Sequence, residues 1–173
     1  MKKLSSIYLK KLSLKNFNPN YYNWVNDKKV NKFLEIRFKK QSKNDVKKFI
    51  KYCSNSKNII LFGIFLEDNN FHIGNIKIFI TSRIHKRAEV GLLLGEKKFW
   101  GRGYGTKAIK LTTNFAKKKL KLKKLYAGCY EENIASKKIF LKAGWKIEGF
   151  QKSFWKLNSK KRTGEILLGK HFK

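Results

Sequence analysis

At 173 residues with 42% hydrophobic side chains, the chain is sized for one domain that buries about two thirds of its unfolded surface, and fourteen Phe, seven Tyr and four Trp exclude intrinsic disorder. The net charge of +31 attracts polyanions without specifying a fold. Only five of the 42 basic residues are arginine (Arg37, Arg83, Arg87, Arg102, Arg162), so no specific reader of nucleic acid is expected, since that task favours the bidentate guanidinium.

In chain order, Ile7 to Leu12 alternates as a first strand, and Asn18-Pro19 opens a helix through Tyr22 and Trp24 with proline where its missing N–H costs least. Asp27 to Leu34 continues as a second short helix. Ser42 to Cys53 is a third, with Ser42 as N-cap, Asp45 completing a capping box, and Val46, Phe49 and Ile50 on one face. The period then changes: Ile59 to Leu66 is an apolar run of strand length, Glu67 to Asn70 a turn, and His72 to Ile80 its hairpin partner. Ala88 to Leu94 follows as another strand.

Helical periodicity returns over Gly105 to Leu120, with Ala108, Ile109, Leu111, Thr112, Phe115, Ala116 and Leu120 as the buried stripe. Leu125 to Cys129 is a strand, Asn133 to Ala143 a helix closed by Gly144, and two last strands lie around Trp145 to Trp155 and Gly164 to Gly169. No Pro-rich or Gly/Ser-rich linker divides residues 1–173, so one domain is expected, of the α/β (α+β) class with a mixed, mostly antiparallel sheet. Cys53 and Cys129 form neither a disulfide framework nor a zinc pattern, and no metal site is expected. No run approaches the ~20 apolar residues of a membrane span, and the basic start lacks the apolar core of a signal peptide, so the cytoplasm is the expected compartment.

The chemistry concentrates at Trp100 to Thr106 (WGRGYGT), between a strand and a helix. Glycines 101, 103 and 105 let backbone approach a ligand, and free N–H groups at a helix start favour a phosphate. The run lacks the GK[ST] of a Walker loop and the setting of a dinucleotide fingerprint. Taken with Asn133-Ile-Ala-Ser136, Phe140 and Ala143-Gly144-Trp145 one strand later, it resembles the acetyl-CoA loop and following helix of the Gcn5-related N-acetyltransferase (GNAT) superfamily. The branch most similar holds ribosomal-protein alanine, spermidine and bacterial amino-sugar acetyltransferases. The segment YYNWVNDKKVNKFLEIR resembles acetyltransferases acting on UDP-4-amino-4,6-dideoxysugars.

The resemblance implies a fold of about seven strands and four helices, acetyl-CoA as donor, and transfer to a primary amine. Leu92, Leu93 and Leu94 would pair with the pantetheine arm. Arg102, Gly103, Tyr104, Gly105 and Thr106 would hold the pyrophosphate through amides, Arg102 adding charge and Thr106 a hydroxyl, and Asn133 would bond the pantetheine. Trp100 departs from the usual Arg or Gln. Glu89 is the expected general base, with pairing to Arg87 or a lysine as its structural alternative. Ser136 and Tyr130 are candidates to protonate the thiolate, since Phe140 replaces the family's usual Tyr. Trp24, Asn26, Arg37 and His85 are expected to border the acceptor, and His72 to lie at the surface. The expected acceptor is a nucleotide-linked amino sugar of surface-polysaccharide synthesis. The alternatives are N-terminal acetylation of a ribosomal protein, polyamine acetylation, or a lysine-rich nucleic-acid-binding domain. A homodimer is compatible with all of these.

Overall fold

The computed structural model of the chain describes residues 5–16 and 18–173. Seven strands, β1 (Ile7–Lys11), β2 (Ile59–Leu66), β3 (His72–Ser82), β4 (Arg87–Leu94), β5 (Lys124–Tyr130), β6 (Lys146–Lys156) and β7 (Arg162–His171), join α1 (Pro19–Asn26), α2 (Lys43–Asn55), α3 (Tyr104–Lys118) and α4 (Ile134–Lys142). The strands form one mixed sheet in the order β1-β2-β3-β4-β5-β7-β6. Only β4 and β5 run parallel, and α3 supplies the crossover that a parallel pair needs.

Strand alternation sorts side chains onto two faces. Ala88 and Val90 of β4, Leu125 and Ala127 of β5 and Ile166 and Leu168 of β7 join the larger core, under Ala108, Ile109 and Ala116 of α3 and Phe140 of α4. On the opposite face, Leu61 packs with Tyr21, Trp24 and Val25 of α1 and Val46, Ile50 and Cys53 of α2. Two intact caps begin these helices: Asn18 accepts from the Asn20 N–H before Pro19, and Ser42 and Asp45 exchange both bonds of a capping box.

Three local expectations are corrected. Asp27 to Leu34 is not a helix. Asp27 caps the end of α1 and accepts the N–H groups of Lys29 and Val30, while the Asn31 amide bonds the Val25 carbonyl; such side-chain bonds compete with helical ones. A 3-10 turn at Glu35–Phe38 follows. Leu111 is 38% exposed, at the rim of the α3 stripe. His72 is buried, 2% exposed, because its ring stacks on Phe65 at 4.6 Å and meets the edge of Trp24 at 5.0 Å, with Nε2 near Gly74 O and Asn75 Oδ1. Burial holds its imidazole below the usual pKa.

Candidate active site

The ladder between β4 and β5 covers only Arg87 to Glu89 against Lys124 to Tyr126. Beyond it, β4 stays paired with β3 as far as Leu94, and β5 with β7 as far as Tyr130. Each strand follows its antiparallel neighbour, so the two part. Along Gly91 to Leu94 one edge of β4 is therefore left without a strand partner, and an extended ligand arm can pair with such an edge. Leu92 and Leu94 pack into the larger core and Leu93 into the smaller, which leaves their backbone as the available part.

The loop after β4 leads from this free edge to the start of α3. Gly101 and Gly103 adopt φ of +72° and +84°, conformations that favour glycine, and a Cβ added to either would meet nothing within 4 Å. Among the described residues, no backbone N–H from 101 to 106 makes a hydrogen bond of standard geometry to another protein group. A row of free donors at the positive end of a fifteen-residue helix is a fitting cradle for a pyrophosphate. Arg102 is exposed there, and Thr106 lies in the first turn of α3. Trp100, 41% exposed, donates its indole N–H to the Leu94 carbonyl at 2.8 Å. It ties the loop back to the end of β4.

Two loop residues have other side-chain duties. Tyr104 is 4% exposed and packs edge-on to Phe99 at 5.4 Å, so only its amide faces a ligand. A Cβ on Gly105 would lie 2.8 Å from Ile139 Cδ1. This glycine admits α4 close to α3 and is not an approach for phosphate. On α4, Asn133 is the N-cap, its Oδ1 accepting the Ser136 N–H at 3.1 Å. Only its Nδ2 is left to donate to a ligand. The Ser136 hydroxyl lies beside the Cys129 thiol, whose pKa burial pushes up to about 11.

The opposite face of the opening carries the titratable groups. Ala88 and Val90 point to the larger core, so Glu89 points to the α1/α2 face; by the same alternation Glu165, before Ile166, points there from β7. Tyr130, at the end of β5, stacks on Trp155 at 5.2 Å. Its hydroxyl donates to Glu35 and accepts from Arg37 Nη1 at 2.8 Å. Desolvation first, then the hydrogen bond to Glu35, pushes the phenol up to about 12. Arg37 also bonds the Lys156 carbonyl at 2.7 Å, which joins the segment after α1 to the end of β6.

The structure thus brings Glu89, Tyr130 and Arg37 to one face of the opening, and Leu92 to Leu94, Arg102, Gly103, Thr106, Asn133 and Ser136 around its other side, along the free edge of β4 and the starts of α3 and α4. Three expected acceptor contacts are corrected. Trp24 is 4% exposed, lies over Gly95 and donates its indole N–H to Glu96 at 3.0 Å; it anchors α1 to the loop and presents no open face. Asn26 uses its amide on the Tyr22 and Gln41 carbonyls and the Gln41 N–H. His85 is exposed in the β3–β4 turn, at the paired end of β4, with about 20 Å of strand between it and Leu93.

Glu35, Glu96, Gly128 and Glu165 were missing from the sequence-based site. Glu165 alone carried a signal, an acid inside an apolar strand (TGEILLG). The others depend on which segments meet in space.

Residues 7–146 match the family model of the acetyltransferase (GNAT) domain. The "Probable N-acetyltransferase YjcK" of Bacillus subtilis is 31% identical over 107 residues, 61% of this chain, and the match spans 59% of that relative's own length. Among solved structures, spermidine N-acetyltransferase from Vibrio cholerae in complex with CoA and spermine superposes with a TM-score of 0.84 at 16% identity, covering 95% of each chain. A GNAT-family acetyltransferase from Bacillus anthracis gives 0.82 at 21% identity, covering 98% of this chain and 96% of that one. Both show the same fold.

Proposed function

The chain belongs to the GNAT acetyltransferase family, a family of acyltransferase enzymes, and we propose that it transfers the acetyl group of acetyl-CoA to a primary amine that arrives as an ammonium ion. The coenzyme would enter between β4 and β5, its arm along the free edge of Gly91 to Leu94 and its pyrophosphate on the amides of 101 to 106. Glu89, at the mouth of the opening, would take the ammonium proton directly or through water. The neutral amine then attacks the thioester carbonyl, and a backbone N–H near Leu92 meets the developing oxyanion. As the carbon–sulfur bond breaks, the thiolate accepts a proton, for which Tyr130 is preferred. Its hydroxyl is fixed by Arg37 and Glu35, whereas Ser136 lies beside Cys129 on the core side.

One observation carries the choice of acceptor. In a chain of net charge +31, five of the eleven acidic residues, Glu35, Glu89, Glu131, Glu132 and Glu165, gather at the opening or around the end of β5. Glu35 lies 3.9 Å from Arg37 and Glu132 3.8 Å from Lys161, but among the described residues Glu89 and Glu165 have no salt-bridge partner. A polyamine or a similar small cationic amine suits this local charge, although the overall charge repels it at long range. Exposed lysines beyond Arg37, Lys156 and Lys161 among them, support the nucleotide-linked amino sugar as the second reading. The test is release of CoA thiol from acetyl-CoA with spermidine, an alanine-terminated peptide or a nucleotide-linked 4-amino sugar. Turnover of spermidine above the others is expected; turnover of the sugar nucleotide alone would reverse the choice, and release with none of them would refute the activity.

A further inference from the structure

Glu165 is 7% exposed, makes no hydrogen bond of standard geometry, and has no lysine or arginine within salt-bridge distance among the described residues. A buried carboxylate is normally paired, because taking a charge out of water is costly. The chain carries 42 cationic side chains, and among the described residues none meets it. Its position is equally specific. It is level with Tyr130 in the β5–β7 register, and its side chain lies back over Gly128, where a Cβ would overlap the carboxylate. Gly128 lies two residues beyond Tyr126, the last β5 residue that pairs with β4. The carboxylate therefore sits against the inner wall of the opening, in space that only a glycine on β5 leaves free.

We propose that Glu165 is the counter-ion of the acceptor: it binds the incoming ammonium group over Gly128 and presents it to Glu89, which takes the proton. This deepens the acetyltransferase reading and rests on it. The ammonium supplies the cation that Glu165 lacks. One proton leaves the ammonium for Glu89, the N–C bond forms as the C–S bond breaks, and the amide nitrogen sheds its second proton as the thiolate gains one. The net reaction releases one proton to solvent.

The groups around Glu165 agree with this role. Glu89 faces it from β4, Cys129 and Tyr130 adjoin it on β5, Gln151 lies across from it on β6, and the indole of Trp155, which pairs with Thr163, reaches towards it. None of them is a cation. Burial first, and then the charge of Glu89, raises the pKa of its carboxyl. The buried Trp155 indole N–H, which has no other partner among the described residues, approaches without full hydrogen-bond geometry and offsets part of that rise. A raised folded-state pKa means that the stabilising contribution of Glu165 is complete below the unfolded value near 4.5 and is lost as pH rises through the folded one. Ionising the side chain is therefore a burden on the free protein, which a bound cation would relieve.

The experiment compares Glu165→Gln with wild type in three readouts at pH 7.5: thermal midpoint, acetyl-CoA KM, and amine KM with the best acceptor of the panel above. The expected result is a midpoint equal to or above wild type, an acetyl-CoA KM within twofold, and an amine KM raised about tenfold or more, the scale of losing a charge-assisted hydrogen bond. Glu165→Asp should recover part of the affinity. Gly128→Ala, which displaces the carboxylate without removing it, should raise amine KM in the same way. A lowered midpoint with both KM values raised alike would make Glu165 structural and overturn the proposal, as would an unchanged amine KM. Titration of spermidine, propylamine and the sugar nucleotide into the CoA complex reads binding without turnover. Binding to wild type and not to Glu165→Gln supports the role even where no acetyl transfer is seen, whereas failure of all three to bind wild type overturns it.

Discussion

Alanine at Gly103 and at Gly105 separates ligand approach from helix packing within one loop. Gly103 has φ +84°, and a Cβ there meets nothing within 4 Å, so Gly103→Ala costs the free protein only its backbone strain, about 1–2 kcal/mol. For a chain of this size that lowers the thermal midpoint by roughly 2–8 °C. With coenzyme bound, the methyl group would occupy the space into which the free amides point, and CoA affinity should fall at least tenfold. Gly105→Ala inverts the pattern. Its Cβ would lie 2.8 Å from Ile139 Cδ1 and 3.4 Å from Leu92 Cδ2, so the Ile139 side chain must turn away or α3 and α4 must separate, at a cost of up to about 1–3 kcal/mol for overpacking and with a smaller change in CoA affinity. Thermal denaturation and isothermal titration with CoA measure both quantities. Equal CoA affinity in wild type and Gly103→Ala would refute the cradle, and a fully stable Gly105→Ala would refute the packing role.

Other consequences follow from the same geometry. Glu89→Gln should reduce kcat by about 10²–10⁴, remove the acidic limb of the pH–rate profile and leave CoA affinity unchanged; an intact profile would exclude Glu89 as base. His72 is held neutral by burial, so the folded state binds fewer protons than the unfolded one as pH falls below about 6.5, and stability should drop by at most about 1.4 kcal/mol per pH unit there. His72→Gln should flatten that slope in denaturant titrations, and an unchanged slope would assign it elsewhere. Trp24→Phe keeps an aromatic ring over Gly95 but removes the bond to Glu96. It should raise CoA KM more than amine KM in steady-state assays, and the reverse order would return Trp24 to the acceptor side.

The sequence was most legible where local chemistry decides structure. The Ser42–Asp45 capping box, Pro19 at the start of α1 and the glycine-rich turn into α3 each act through residues close in the chain. It misled where tertiary contacts decide. His72 reads as polar and exposed until Phe65 and Trp24 enclose it, and Asp27 to Leu34 carries helical spacing until the Asp27 carboxylate takes two amides. The proposed coenzyme half of the site lies on one contiguous loop and one helix start, a stretch that motif spacing can mark. The proposed acceptor half draws on β4, β5, β7 and the Glu35–Phe38 turn, segments up to 130 residues apart (from Glu35 to Glu165), and no local pattern marks Glu35, Gly128 or Glu165 as neighbours.

The most direct test is a crystal structure of the protein with CoA. The account predicts the pantetheine arm hydrogen-bonded to the β4 edge over Gly91 to Leu94, the pyrophosphate on the amides of 101 to 106, and the thiol at the opening between β4 and β5. CoA held anywhere else, or a β4 edge that stays unpaired beside it, would contradict it.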